Sequence, residues 1–249
     1  MKRPANLWTA WYLANFGLAA RYHRYEIDGL DTLLQGRACM IVGYHGRPIA
    51  WDVLFLAVEL YKRLGYLPHG LIHGSFKHGP AAKMVRDLGF VFGDTPELQA
   101  AIERGEHMLV APGGTREGCR SFRHRYQVDW DDKCGYLRIA AKYRLPIVPV
   151  AADGVDDVFE GLNNGDALGK VLQMPAKLPF WFGFGPLGLW PLSPPFPVKV
   201  RQRIGQPLDL FPAGAIDPGD KAALLAAHRS IGEHIQLMLN DLRAGVRAH

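Results

Sequence analysis

An α/β fold, a mixed sheet flanked by helices, is what this 249-residue sequence predicts. Two observations carry that reading. Short apolar runs of strand length alternate with longer segments of helical period, and most of those runs are apolar throughout, as strands buried on both faces are. A late stretch instead alternates Val198, Val200, Gln202 and Ile204 with Lys199, Arg201 and Arg203, as a half-exposed strand does.

In chain order, residues 1–25 form a first unit. Trp8, Trp11, Tyr12, Leu13, Phe16 and Leu18, with basic residues at both ends, suit a helix lying in a membrane interface and equally a helix packed on the body of the protein. The run falls short of the ~20 apolar residues that span a bilayer. It also lacks a small-residue cleavage site before Arg21–Tyr25, so a signal peptide is not expected. Residues 26–249 read as one domain. Ala38–Tyr44 is a buried strand, Trp51–Leu64 a helix and Gly70–His73 a strand. Ala81–Leu88 is helical and Phe90–Phe92 extended. Asp94-Thr95-Pro96-Glu97 starts a helix, with a capping oxygen, Pro in the first turn and an acidic residue after it; this helix runs to Gly105. His107–Ala111 is a strand, Asp132–Tyr143 a helix and Pro146–Ala151 a strand. Asp217-Pro218 opens a final helix ending near Arg243. Leu178–Pro197 breaks the pattern: it is apolar and aromatic, but Gly and Pro interrupt it too often for a helix. It is either a loop packed over the core or a greasy surface for a membrane or acyl chain, and the second reading is preferred.

Composition narrows the function. Hydrophobic residues make up 48% and charged residues 21%, which is globular rather than disordered. The net charge of +5 comes from scattered basic residues without a nucleic-acid-binding run, so anionic lipid or a phosphorylated cofactor is the expected partner and nucleic acid is not. Cys39, Cys119 and Cys134 are odd in number and lack metal-ligand spacing, which fits a reduced, intracellular compartment.

Two peculiarities sit at predicted strand ends, where open α/β sheets gather their ligands. His45 follows the strand ending at Tyr44, and Asp52 lies seven positions on. A neutral imidazole takes a proton from a hydroxyl when a carboxylate steadies it. Pro112-Gly113-Gly114-Thr115-Arg116-Glu117 follows the strand ending at Ala111. The glycines let backbone approach a ligand, Arg116 suits a phosphate or carboxylate, and Glu117 is placed to orient Arg116 or to accept a hydrogen bond from a substrate hydroxyl. Taken alone, the first reads as a structural His near an Asp and the second as a tight turn with a surface ion pair. His69, His73, His78, His107 and His124 are expected to be structural, and Cys119 to be a buried thiol.

The order His45-Gly46 … Gly74-Ser75-Phe76-Lys77 … Pro112-Gly113-Gly114-Thr115-Arg116-Glu117 … Val148-Pro149-Val150 resembles the four blocks of the glycerolipid acyltransferase superfamily. The Pro-Gly-Gly-x-x-Glu form is similar to the branch containing monoacylglycerol and diacylglycerol acyltransferases. Gly135–Val150 and Pro197–Leu208 resemble that branch too. The resemblance implies an acyltransferase domain over 26–249 that moves a fatty acyl group from acyl-CoA or acyl carrier protein, as co-substrate, to a lipid hydroxyl. His45 would be the general base and Asp52 its orienting partner. Gly74, Ser75, Phe76, Lys77, Gly113, Gly114, Thr115, Arg116 and Glu117 would bind substrate, with Lys77 and Arg116 meeting anionic groups. Neither a metal nor a resident cofactor is implied, and a membrane surface is an expected partner, with the protein peripheral or monotopic on the cytoplasmic face. Two departures stand out. Six residues separate His45 from Asp52 where the superfamily usually has four, or somewhat more in this branch, which leaves the partner of His45 open. Gly113 also stands where the phosphatidate-forming branch has Glu, although Thr115-Arg116 remains, so a lysophospholipid or lysophosphatidate acyltransferase is the alternative. A non-catalytic lipid-binding protein of the same fold is a further one.

Overall fold

The computed structural model describes residues 6–72, 82–174, 179–208, 210 and 216–245. Among the described residues the strands in chain order are β1 (Glu26–Asp28), β2 (Met40–Gly43), β3 (His69–Gly70), β4 (Met108–Val110), β5 (Ile147–Asp153), β6 (Glu160–Gly161), β7 (Gly183–Gly185), β8 (Gly188–Leu189) and β9 (Arg201–Ile204). The helices are α1 (Leu7–Tyr22), α2 (Trp51–Leu64), α3 (Ala82–Asp87), α4 (Pro96–Glu103), α5 (Gly114–Gly118), α6 (Gly135–Tyr143), α7 (Gly165–Val171) and α8 (Lys221–Arg243). Six strands make one sheet in the order β1-β9-β5-β2-β4-β3. Every pairing in it is parallel except β5 with β9. The expected mixed α/β sheet is present.

Alternation along the strands sends side chains to two helical layers. Ile41, Leu109, Val148 and Val150 join Leu56 and Leu60 of α2 in one buried cluster. Met40, Val42, Ile147 and Ala151 join α6 and α8 in the other, through Leu137 and Ala140 and through Leu224, Ile231, Ile235 and Leu239. β2 is apolar throughout and β5 is apolar from Ile147 to Ala152, because both faces of these strands are covered. The α1 helix lies on α2, with Tyr12 buried and its hydroxyl donating to Leu54 O at 2.9 Å.

Several expectations are corrected. Asp217-Pro218 does not start the last helix; Asp220 caps it, its Oδ1 accepting from Ala222 N and Ala223 N at 3.0 Å. The 132–143 helix begins only at Gly135, and the 198–204 strand at Arg201. The irregular apolar stretch after Leu178 contains β7 and β8, which with β6 form a small antiparallel sheet. The Pro-Gly-Gly turn continues directly into α5.

Candidate active site

The parallel strands β4, β2 and β5 are adjacent, and their carboxyl ends deliver the chemistry together. Val42 is level with Val110 and with Pro149. The chain then turns to His45 after β2, to Gly113 after β4 and to Asp156 after β5. His45 and the glycine pair are thus neighbours.

His45 is held on three sides. Its backbone N–H donates to Glu117 Oε2 at 3.0 Å, and its ring Nδ1 lies 3.1 Å from Gly46 O. Since a carbonyl only accepts, Nδ1 carries the proton and the lone pair falls on Nε2. A Cβ on Gly118 would come within 2.6 Å of the ring's Cε1, so that glycine makes room for the imidazole. His45 as a whole remains partly exposed. Burial first, and the nearby Arg120 guanidinium second, hold the imidazole below its ordinary range, at about 4.

Asp52, in the first turn of α2, is buried and does not touch the imidazole. Its Oδ1 accepts from Gly46 N at 3.2 Å. Gly46 therefore links the two groups, taking the ring's proton on its carbonyl and giving its amide to the carboxylate. Burial pushes the Asp52 carboxyl up to about 7. Gly46 itself has no room for a side chain, since a Cβ would lie 2.6 Å from Val155 and 3.1 Å from Asp52 Oδ1.

Glu117 departs from both roles expected of it. It is fully buried, its oxygens accepting from His45 N and, at 2.9 Å, from Asp129 N. It neither orients Arg116 nor faces a substrate; it staples the turn after β2 to the 126–129 segment. Arg116 instead pairs with Asp129 Oδ2 at 2.8 Å on the surface. Gly113 explains the departure from the Pro-Glu-Gly pattern: a Cβ there would lie 2.1 Å from the Glu117 carboxyl carbon. Thr115 and Gly114 lie on α5 beside it, and Gly114 takes a positive φ of 48°. Gly74, Ser75, Phe76 and Lys77, with His73 and His78, lie outside the described residues.

A buried charge network behind His45 was missed by sequence reasoning. Tyr44 OH donates to Asp156 Oδ2 at 2.5 Å and accepts from Arg120 Nη1 at 2.6 Å and from Tyr126 N at 3.0 Å. Arg120 also donates to Glu117 O at 2.6 Å, to Gln127 O, and to His45 O at 3.4 Å. Arg47, buried beside Gly46, donates through its guanidinium to the carbonyls of Asp156 and Arg120, and its backbone N–H donates to Asp156 Oδ1 at 3.3 Å. The signal was present: Arg47 adjoins the His-Gly pair, and Asp153-Gly-Val-Asp156-Asp157 closely follows a predicted strand. Other histidines have structural partners, His69 with Gly89 O and Glu106, and His107 with Leu33 O. Cys119 is buried, and that burial pushes its thiol up to about 12. Among the described residues no three His, Cys, Asp or Glu side chains gather as a metal-ligand set.

Comparison with known proteins gives the family and the fold. A family model described as Acyltransferase matches residues 24–153. The "DGAT1/2-independent enzyme synthesizing storage lipids" of Mus musculus is 28% identical over 248 residues, covering 96% of this chain and 69% of that protein. The human protein of the same name is 27% identical over 213 residues, covering 85% of this chain and 60% of its own length. An uncharacterized protein of Mycobacterium tuberculosis is 25% identical over 234 residues, with 91% and 63% covered. The chain thus spans about two thirds of the length of such relatives. In fold it is similar to the crystal structure of the 1-acyl-sn-glycerophosphate acyltransferase PlsC from Thermotoga maritima, with a TM-score of 0.52, 18% identity, and 96% of this chain and 80% of that one covered.

Proposed function

The chain belongs to the acyltransferase family, and from that premise we propose that it transfers a fatty acyl group from an acyl thioester, acyl-CoA or acyl carrier protein, to a hydroxyl of a glycerolipid. The observation that carries this reading is the tautomer of His45. With Nδ1–H given to Gly46 O, the Nε2 lone pair belongs to the one partly exposed residue in a buried polar cluster. Nε2 takes the proton of the acceptor hydroxyl as its oxygen bonds to the thioester carbonyl carbon. The tetrahedral intermediate collapses, the C–S bond breaks, and the imidazolium returns the proton to the leaving thiolate, giving an ester and a free thiol. Asp52 acts through Gly46, fixing the peptide that fixes the ring. No resident cofactor enters this scheme.

The storage-lipid name of the vertebrate relatives favours a neutral glycerolipid acceptor. The lysophospholipid alternative draws on Arg116, which is half-exposed at the surface and suited to a phosphate. Because the acceptor dissolves in lipid, a membrane surface is the working partner, and we place the protein peripherally on the cytoplasmic face. No helix among the described residues is long and apolar enough to cross a membrane.

Labelled acyl-CoA and acyl carrier protein, offered with monoacylglycerol, diacylglycerol, long-chain alcohol and lysophospholipids, test the reaction. Wild type should make one labelled ester class, and His45→Ala should lower kcat by about 10²–10⁴-fold. Unimpaired transfer by His45→Ala would remove the proposed base. No ester from any donor and acceptor would leave a lipid-binding protein of this fold.

A further inference from the structure

Residues 179–197 contain no charged residue and six prolines. Within them the β7–β8 hairpin holds Leu187 82% exposed and, just past β8, Leu192 93% exposed, with Leu189 about half-exposed between. Apolar side chains so concentrated and so exposed are unusual on a surface that meets only water.

Several amide groups beneath them are paired within the protein. Phe180 N donates to Gly165 O at 2.8 Å, Phe182 N to Asn163 Oδ1 at 2.7 Å, and Trp190 N to Gly183 O at 2.8 Å. Leu187 N donates to Ser193 Oγ at 3.0 Å, and Leu192 N to Leu189 O at 3.0 Å. The prolines have no N–H to satisfy. Each paired amide lowers the cost of approaching hydrocarbon, because nothing there replaces a lost hydrogen bond.

Its attachments join it to the site. Trp181 is buried against Gly161, Gly165 and Gly183, and its Nε1 donates to Arg120 O at 3.1 Å. Gly165 N donates to Cys119 O at 2.7 Å, and Arg120 reaches His45 O. At the other end Tyr22 OH donates to Pro195 O at 2.8 Å and Arg24 Nη2 to Pro197 O at 2.7 Å. The hairpin thus continues to α1, which exposes Leu18 and has no acidic residue. Arg24 supplies a cation at the junction, where anionic headgroups would lie.

We propose that the β7–β8 hairpin, with the exposed stripe of α1 beside it, is a docking surface that enters the interface of a lipid bilayer and holds the His45 site there. Insertion of a few leucines and aromatics gives reversible, peripheral binding. The surface stands on these contacts alone and is tested without any turnover, so failure of the acyl-transfer reading leaves it untouched.

The test is flotation of the full chain with vesicles of phosphatidylcholine and phosphatidylglycerol, comparing wild type with Leu187→Glu/Leu192→Glu. Both side chains are exposed, so circular dichroism should be unchanged. The variant should partition at least about tenfold more weakly, since two leucines that would enter the bilayer are replaced by charges. Equal vesicle binding by the two would overturn the proposal. So would unchanged vesicle binding with a shift from dimer to monomer in lipid-free buffer, which would assign the face to a second copy of the chain.

Discussion

A histidine base works only while it is neutral, and the groups around His45 set the pH at which that holds. Asp52 on α2, Glu117 on α5, Arg120 just after it, and Arg47 and Asp156 from the turns after β2 and β5 all surround it. Burial and the Arg120 charge together favour the neutral ring, so the acid limb of kcat/KM should lie near pH 4, well below the ordinary histidine range. Replacing Arg120 with Gln removes the cation that disfavours imidazolium. It also leaves Asp156 less compensated, which favours imidazolium as well. Both changes raise the imidazole pKa, so the limb should move toward neutral pH in Arg120→Gln. A pH–rate profile that keeps its limb while kcat falls would make Arg120 a purely structural member of the network.

Among the elements, those with a period and a stop signal were legible. The bounds of α2, Trp51–Leu64, follow from its apolar spacing and from Gly65, which ends it in the left-handed region at φ 80°. The start of α4 follows from Thr95, whose side chain caps Leu98 N. The start of α8 was misplaced because Asp217-Pro218 and Asp220 are both plausible openings, and only the fold selects the aspartate whose carboxylate reaches two free amides. Asp220→Ala should therefore cost about 1 kcal/mol, read from urea unfolding, whereas Asp217→Ala should cost little. The β6–β7–β8 sheet was not legible, since Gly and Pro erase any period. Its position depends on Trp181 finding three glycines that leave room for an indole.

For the whole molecule, burying carboxylates beside the site has a consequence for stability. Asp52 moves from an ordinary carboxylate range up to about 7 on folding, so folded protein holds a proton that the unfolded chain releases above about pH 4. Its contribution is full below that range and is lost as pH rises through 7. His45 has the opposite sign: its contribution is present above about pH 6.5 and is lost as pH falls toward 4. Asp52→Asn removes only the first. Measured against wild type by urea unfolding, the variant should gain relative stability as pH rises from about 4.5 to 7, by up to about 1.4 kcal/mol per unit. A difference independent of pH would show that Asp52 is ionised throughout in the folded protein.

The sequence by itself determined the α/β class, most of the strand and helix order, and the two strand ends that carry His45 and Gly113-Gly114. Local hydrophobic period and turn chemistry are written residue by residue, and a parallel sheet brings its strand ends together whatever their order. Tertiary structure decided the partnerships. Asp52 reaches Gly46 rather than the imidazole, Glu117 becomes a buried staple, and Arg47, Arg120 and Asp156 close around Tyr44. A carboxylate's role depends on which amide or guanidinium lies within about 3 Å of it once water is excluded, and that is fixed by packing between segments remote in the chain.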